Sequence, residues 1–130
     1  MDISSIRSAI NIYQPSELKD EVIQLAIDEA EALVNAKADP SAPESLLWLA
    51  KLRLAAYYAY LSYSDRVFNE LPGTFSRTGE WTPIGSAIWR DVRDKLDKME
   101  RAAKEALKLV GIDLEEDKKP NRVPVFGIIR

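Results

Sequence analysis

The chain contains no cysteine and no histidine. The first absence excludes disulfides, thiolate nucleophiles and thiolate metal sites; the second removes imidazole ligands and every acid/base relay or triad built on histidine. Most hydrolase and metalloenzyme chemistries are excluded with them. Glycine is scarce, five in 130 residues, and Gly73 and Gly79 fall in neither a G-x-x-x-x-G-K-[ST] nor a G-x-G-x-x-G arrangement, so no phosphate-cradling loop is written. Positive charge is not in excess either. Eighteen Lys and Arg against 21 Asp and Glu leave −3, which gives no general attraction to a phosphate backbone or anionic lipid. No apolar run approaches the ~20 residues of a spanning helix. The opening MDISSIRSAINIY has acids and polar residues where a secretory signal needs a basic flank and an unbroken apolar stretch, so a protein made and used inside a cell is expected.

Hydrophobic residues at 46% and charged residues at 30% suffice for one ordinary core in 130 residues. The expected fold class is all-α: a bundle of three long helices plus a short N-terminal helix, a small hairpin or loop between the second and third long helices, and an extended C-terminal tail. Residues 1–112 form the expected bundle domain, and 113–130 a charged tether and apolar tail.

The helices are read from apolar spacing and punctuation. Ile3, Ile6 and Ile10 predict a short helix before Tyr13. Gln14-Pro15-Ser16-Glu17, with Glu17, Asp20 and Glu21 near the positive end of the dipole, predicts a long helix over Ser16 to Ala38. Its expected stripe is Leu18, Val22, Leu25, Ala26, Ala30 and Leu33, with Asp28, Glu29 and Glu31 toward water. Ser41-Ala42-Pro43-Glu44 has the S-x-x-E spacing of a capping box ahead of a second long helix, through Phe68. That helix is apolar on nearly every side, so it must be covered all round, at the centre of a bundle or by other subunits. Leu71 to Thr82 fits a hairpin or ordered loop. Thr82-Pro83 opens and Gly111 closes a third long helix with the buried stripe Ile84, Ile88, Val92, Leu96, Met99, Ala103, Ala106 and Val110. Asp91/Lys95, Asp94/Lys98, Asp97/Arg101 and Glu100/Lys104 are acid-first i,i+4 pairs on its other face.

Candidate chemistry is thin. Glu21, Asp28, Glu29 and Glu31 lack the doubled E-x-x-E and E-x-x-D pattern of magnesium-dependent nucleotide pyrophosphohydrolases and read as a solvated face. Asp65, near Tyr63 and Phe68, reads as a surface acid paired with Arg66 or Arg53. The third long helix has seven bases against five acids, a weak nucleic-acid footprint once they interleave. No catalytic, cofactor-binding or metal-binding residue is expected. Trp48, Tyr57, Tyr58, Tyr60, Tyr63 and Phe68 crowd the second long helix, most as core and the remainder for subunit contacts. Phe75 and Trp81 fit self-packing and intersubunit contact equally. The tail residues Val123, Val125, Phe126, Ile128 and Ile129 follow a tether too polar to fold alone. They need a cover, either their own bundle or another chain met by strand addition or groove docking.

The order of parts, a short opening helix, an acidic helix after Pro15-Ser16, the helix carrying LAKLRLAAYYAYLSYSD, a loop, a charged amphipathic helix and an extended tail, resembles the head–tail connector (adaptor) proteins of tailed bacteriophages. The likeness runs from about Ser4 to Arg130, in pattern rather than in a diagnostic motif. It implies a structural virion protein, assembled in the host cytoplasm, that forms a homo-oligomeric ring, twelvefold in expectation, between the portal and tail-side stopper or tail proteins. Such a ring extends the DNA channel without specific DNA binding. The resemblance maps the Gly73–Thr82 loop and the Val123–Arg130 tail onto ring-to-ring and portal-docking surfaces; within them the apolar Phe75, Trp81, Val123, Val125, Phe126, Ile128 and Ile129 are the expected partner-binding residues. The alternative is a small all-α protein-binding or regulatory module acting as a dimer.

Overall fold

The computed structural model describes residues 1–69 and 83–114. Among them are four helices packed against one another and no strand: α1 (Ile3–Ile10), α2 (Asp20–Lys37), α3 (Glu44–Asn69) and α4 (Pro83–Leu109). The hairpin or loop expected over Leu71 to Thr82, the Thr82 cap and the tail lie outside the described residues.

Helix α1 starts because Asp2 accepts from the Ser5 amide at 2.9 Å and from its hydroxyl at 2.8 Å, satisfying an amide left orphaned by the first turn. These bonds hold the Asp2 carboxyl below its usual range. The helix stops at Asn11, which takes the left-handed conformation at φ 61. Ile6 and Ile10, one turn apart, are completely buried.

The second helix corrects two expectations. Pro15, Ser16 and Glu17 form a tight turn, with the Glu17 and Leu18 amides both donating to the Gln14 carbonyl, and the helix begins only at Asp20. Its inward stripe is therefore Ile23, Ala26, Ile27, Ala30 and Val34, while Leu25 points outward at 58% exposure. Leu18 is buried ahead of the helix, and Val22 and Leu33 of the expected stripe pack partly buried against the core, so Leu25 alone of that stripe faces outward. Asp28 and Glu29 are exposed as expected, and Glu31 is half-buried. Ser41 and Glu44 make no capping box. The Ser41 amide and hydroxyl both donate to Asp39, at 3.0 and 2.8 Å, and the short loop is used up in that turn.

Helix α3 packs against α1, α2 and α4. Ala50, Leu54, Ala55, Ala56, Ala59 and Tyr60 are buried along it, and the run of alanines lets neighbouring axes approach closely. Much of the apolar girth that called for cover is thus covered within one copy. Trp48 and Phe68 remain exposed. On α4 the stripe is Val92, Ala103, Ala106 and Leu107, continued by Val110 just beyond the helix; Ile88, expected inside, is exposed. The end is a Schellman motif: the Ile112 amide donates to the Leu107 carbonyl at 2.9 Å and Gly111 to Lys108 at 3.1 Å, with Gly111 at φ 87. The Asp39 amide donates to the Val110 carbonyl at 2.8 Å, tying this end to the α2–α3 loop.

Arg7 is the polar keystone of the N-terminal region. It is 8% exposed. Its guanidinium donates to the carbonyls of Ile12 at 3.3 Å and Leu18 at 2.8 Å and meets the Asp20 carboxylate at 2.6 Å. One side chain thereby satisfies two loop carbonyls and sits against the start of α2. Arg7→Ala orphans both carbonyls and is expected to cost about 3 kcal/mol in urea unfolding. Asp20→Asn, at a half-exposed position that keeps an acceptor oxygen, is expected to cost about 1 kcal/mol or less. Equal losses in the two variants would contradict this assignment.

Candidate functional site

A groove of about 310 Å³ lies where three helices meet. Helix α1 supplies Ala9, α3 supplies Leu52, Arg53 and Ala56, and α4 supplies Lys95, Lys98, Met99 and Ala102. Its floor is aliphatic, its charges are all positive, and no carboxylate lines it.

Lys95 shows why the charges sort this way. The i,i+4 rule pairs it with Asp91, but its ammonium donates instead to the Ile10 carbonyl and lies 4.9 Å from the centre of the Tyr60 ring. Ile10 ends α1, so its carbonyl is one of those the helix leaves without an internal partner. Burial pushes the Lys95 ammonium below the ordinary lysine range. Of the four expected pairs on α4, only Glu100–Lys104 closes among the described residues, at 3.8 Å. Arg53 and Lys98 make no ion pair or hydrogen bond there. The groove therefore presents two uncommitted cations at its rim.

Next to it, the Tyr57 hydroxyl donates to the Glu100 carboxylate at 3.1 Å. Burial, reinforced by Glu100, pushes the Tyr57 phenol up to about 12. Burial also pushes Tyr60 up to about 12, with Tyr63 and Asp91 adding to it. The Tyr57–Tyr58 and Tyr60–Tyr63 ring pairs stand 5.9 and 5.4 Å apart. Tyr60 is core, whereas Tyr57, Tyr58 and Tyr63 are half-buried, so this aromatic crowd is shared between core and surface.

The expected partner-binding residues Phe75, Trp81, Val123, Val125, Phe126, Ile128 and Ile129 lie outside the described residues. Beside the first two in sequence, the Phe68 and Trp89 rings meet at a tilt of 57° with centres 5.1 Å apart, where α3 ends and α4 begins. Asp65 is exposed and makes no ion pair among the described residues; Arg66 donates instead to the Glu17 carbonyl. No group of three or more carboxylates that could hold a metal ion occurs among the described residues. None of the described helices is long and apolar enough to cross a membrane. Comparison of the chain with protein-family models, curated proteins and solved structures gives no match. The groove itself was missed by sequence reasoning, since its lining comes from three segments and each residue alone reads as helix surface.

The raised tyrosines fix an alkaline dependence. The folded state favours the neutral phenols of Tyr57 and Tyr60, so their contribution to stability is complete below pH ~10, where free tyrosine begins to ionise, and is lost as pH rises towards 12. Ultraviolet titration should show a late-ionising class of tyrosines that shrinks in Tyr57→Phe. Glu100→Gln should move Tyr57 only part of the way back, because burial is the larger cause. A single transition near pH 10 with the fold intact would contradict this.

Proposed function

We propose that this chain is a structural virion protein, a head–tail adaptor that assembles as a ring between the portal and the downstream tail or stopper proteins and extends the DNA channel. The finer architecture of this reading is a bundle of three long helices with a short N-terminal helix. Residues 1–112 are the bundle and 113–130 the tether and portal-docking tail.

One observation carries the proposal. The core of the described residues runs from Ile6 to Ile112, and the Schellman motif at Gly111 stops α4 with Val110 and Ile112 already buried. In sequence the apolar tail thus comes after a helix, α4, that is already terminated and tied to the α2–α3 loop, with Leu114, the last described residue, packed on the core. Five apolar side chains after a highly charged tether fit a segment used on another molecule, where backbone hydrogen bonds supply affinity. The tilted Phe68–Trp89 pair supports a second contact region at the other end of α4, next in sequence to Phe75 and Trp81. Slightly acidic overall charge suits a channel wall along which DNA slides without sticking.

Removal of Val123 to Arg130 tests the reading. The shortened chain should keep its helical circular dichroism and melting temperature to within a few degrees, yet fail to co-sediment with portal rings. Docking retained without the tail would overturn the tail as the portal-binding segment, and loss of the fold would favour a tail packed on its own bundle.

A further inference from the structure

The outer face of α2 is the chemical complement of the groove. Leu25 stands out from it at 58% exposure. Glu21 lies one turn before Leu25, Asp28 and Glu29 one turn after, and Ala32 and Ala36 continue the same line; all five are exposed. Lys37, at the last position, is the only base on this helix. An apolar ridge edged by carboxylates thus occurs on one element, while an aliphatic trough edged by Arg53, Lys95 and Lys98 occurs on three others.

We propose that the α2 ridge of one copy seats in the α1/α3/α4 groove of the next, Leu25 resting on Leu52, Ala56, Met99 and Ala102 while Glu21 and Asp28 meet Arg53 and Lys98. This rests on the ring reading and names its subunit contact. A second copy is the occupant because the complement is present on the chain itself, in charge and in apolar character. Pairing ridge with ridge or groove with groove opposes like charges. Pairing ridge with groove is a head-to-tail contact, which leaves a free ridge at one end and a free groove at the other and makes a ring where the rotation per copy closes. Arg53 and Lys98 have no competing ion pair among the described residues, so docking breaks no bond of theirs there. A trough of about 310 Å³ is small. Each contact alone is weak, and a closed ring gathers many of them into one assembly.

The absence of native cysteine makes the contact easy to trap. Full-length Leu25→Cys and Ala102→Cys variants, mixed at high concentration in low salt and oxidised, should give the mixed disulfide in at least tenfold excess over either homodimer. Yield should fall in 1 M salt. It should also fall about tenfold when the Ala102→Cys chain carries Arg53→Glu and Lys98→Glu, and recover when the Leu25→Cys chain carries Glu21→Lys and Asp28→Lys. A chain with both cysteines should give a ladder beyond dimer. No disulfide, statistical pairing, insensitivity to the charge reversals, or a product that stops at dimer each overturns the proposal. Sedimentation velocity of the unmodified chain separates this from the ring reading: closed oligomers without the Leu25–Ala102 disulfide sink the contact alone, whereas the disulfide in a ladder that never closes keeps the contact and sinks the ring.

Discussion

Helix α3 is apolar around nearly its whole circumference, and water on any side of it is costly. The rest of the described structure is arranged by that constraint. Helices α1, α2 and α4 all pack on it, and alanines at the contacts bring them close enough to shed water from Leu54 and Tyr60. Once α3 is central, each remaining helix has an inner face that is spoken for and an outer face that is not. What those outer faces carry is then a matter of function rather than folding.

A few polar contacts tie the helix ends together. Arg7 joins the connector after α1 to the start of α2, Lys95 donates to the last carbonyl of α1 from α4, and Asp39 links the α2–α3 loop to the end of α4. Each satisfies backbone groups that a helix end or loop leaves over. The same sorting leaves α2 with an acidic outer face and the α1/α3/α4 junction with a basic one. A chain of small net charge can in this way hold two strongly unlike surfaces.

The all-helical class and several ends were legible in the sequence. Pro83 opens α4 and Gly111 closes it, and the three isoleucines of α1 lie where their spacing places them. The start of α2 was not, because Pro15-Ser16 serves a turn as readily as a first helical turn, and only the closure onto the Gln14 carbonyl distinguishes them. Leu25 was misplaced separately: a step of three from Val22 puts it inward, whereas the buried line runs through Ile23, Ala26, Ile27, Ala30 and Val34. Arg7 was invisible for another reason: its acceptors lie 5, 11 and 13 residues away, and two of them are backbone carbonyls that carry no side-chain signal. The inward turn of Lys95 was hidden likewise, since Asp91 one turn before it satisfies the local rule. The groove needs three helices placed together, which periodicity within one helix does not encode.

The central claim is that this small bundle works as a repeating unit whose unlike faces meet and whose tail engages a larger ring. Electron micrographs of the native assembly test it most directly. The account predicts hollow rings in which each subunit's α2 lies against the α1/α3/α4 groove of its neighbour. Compact two-fold particles, with α2 and the groove both facing solvent, would contradict it.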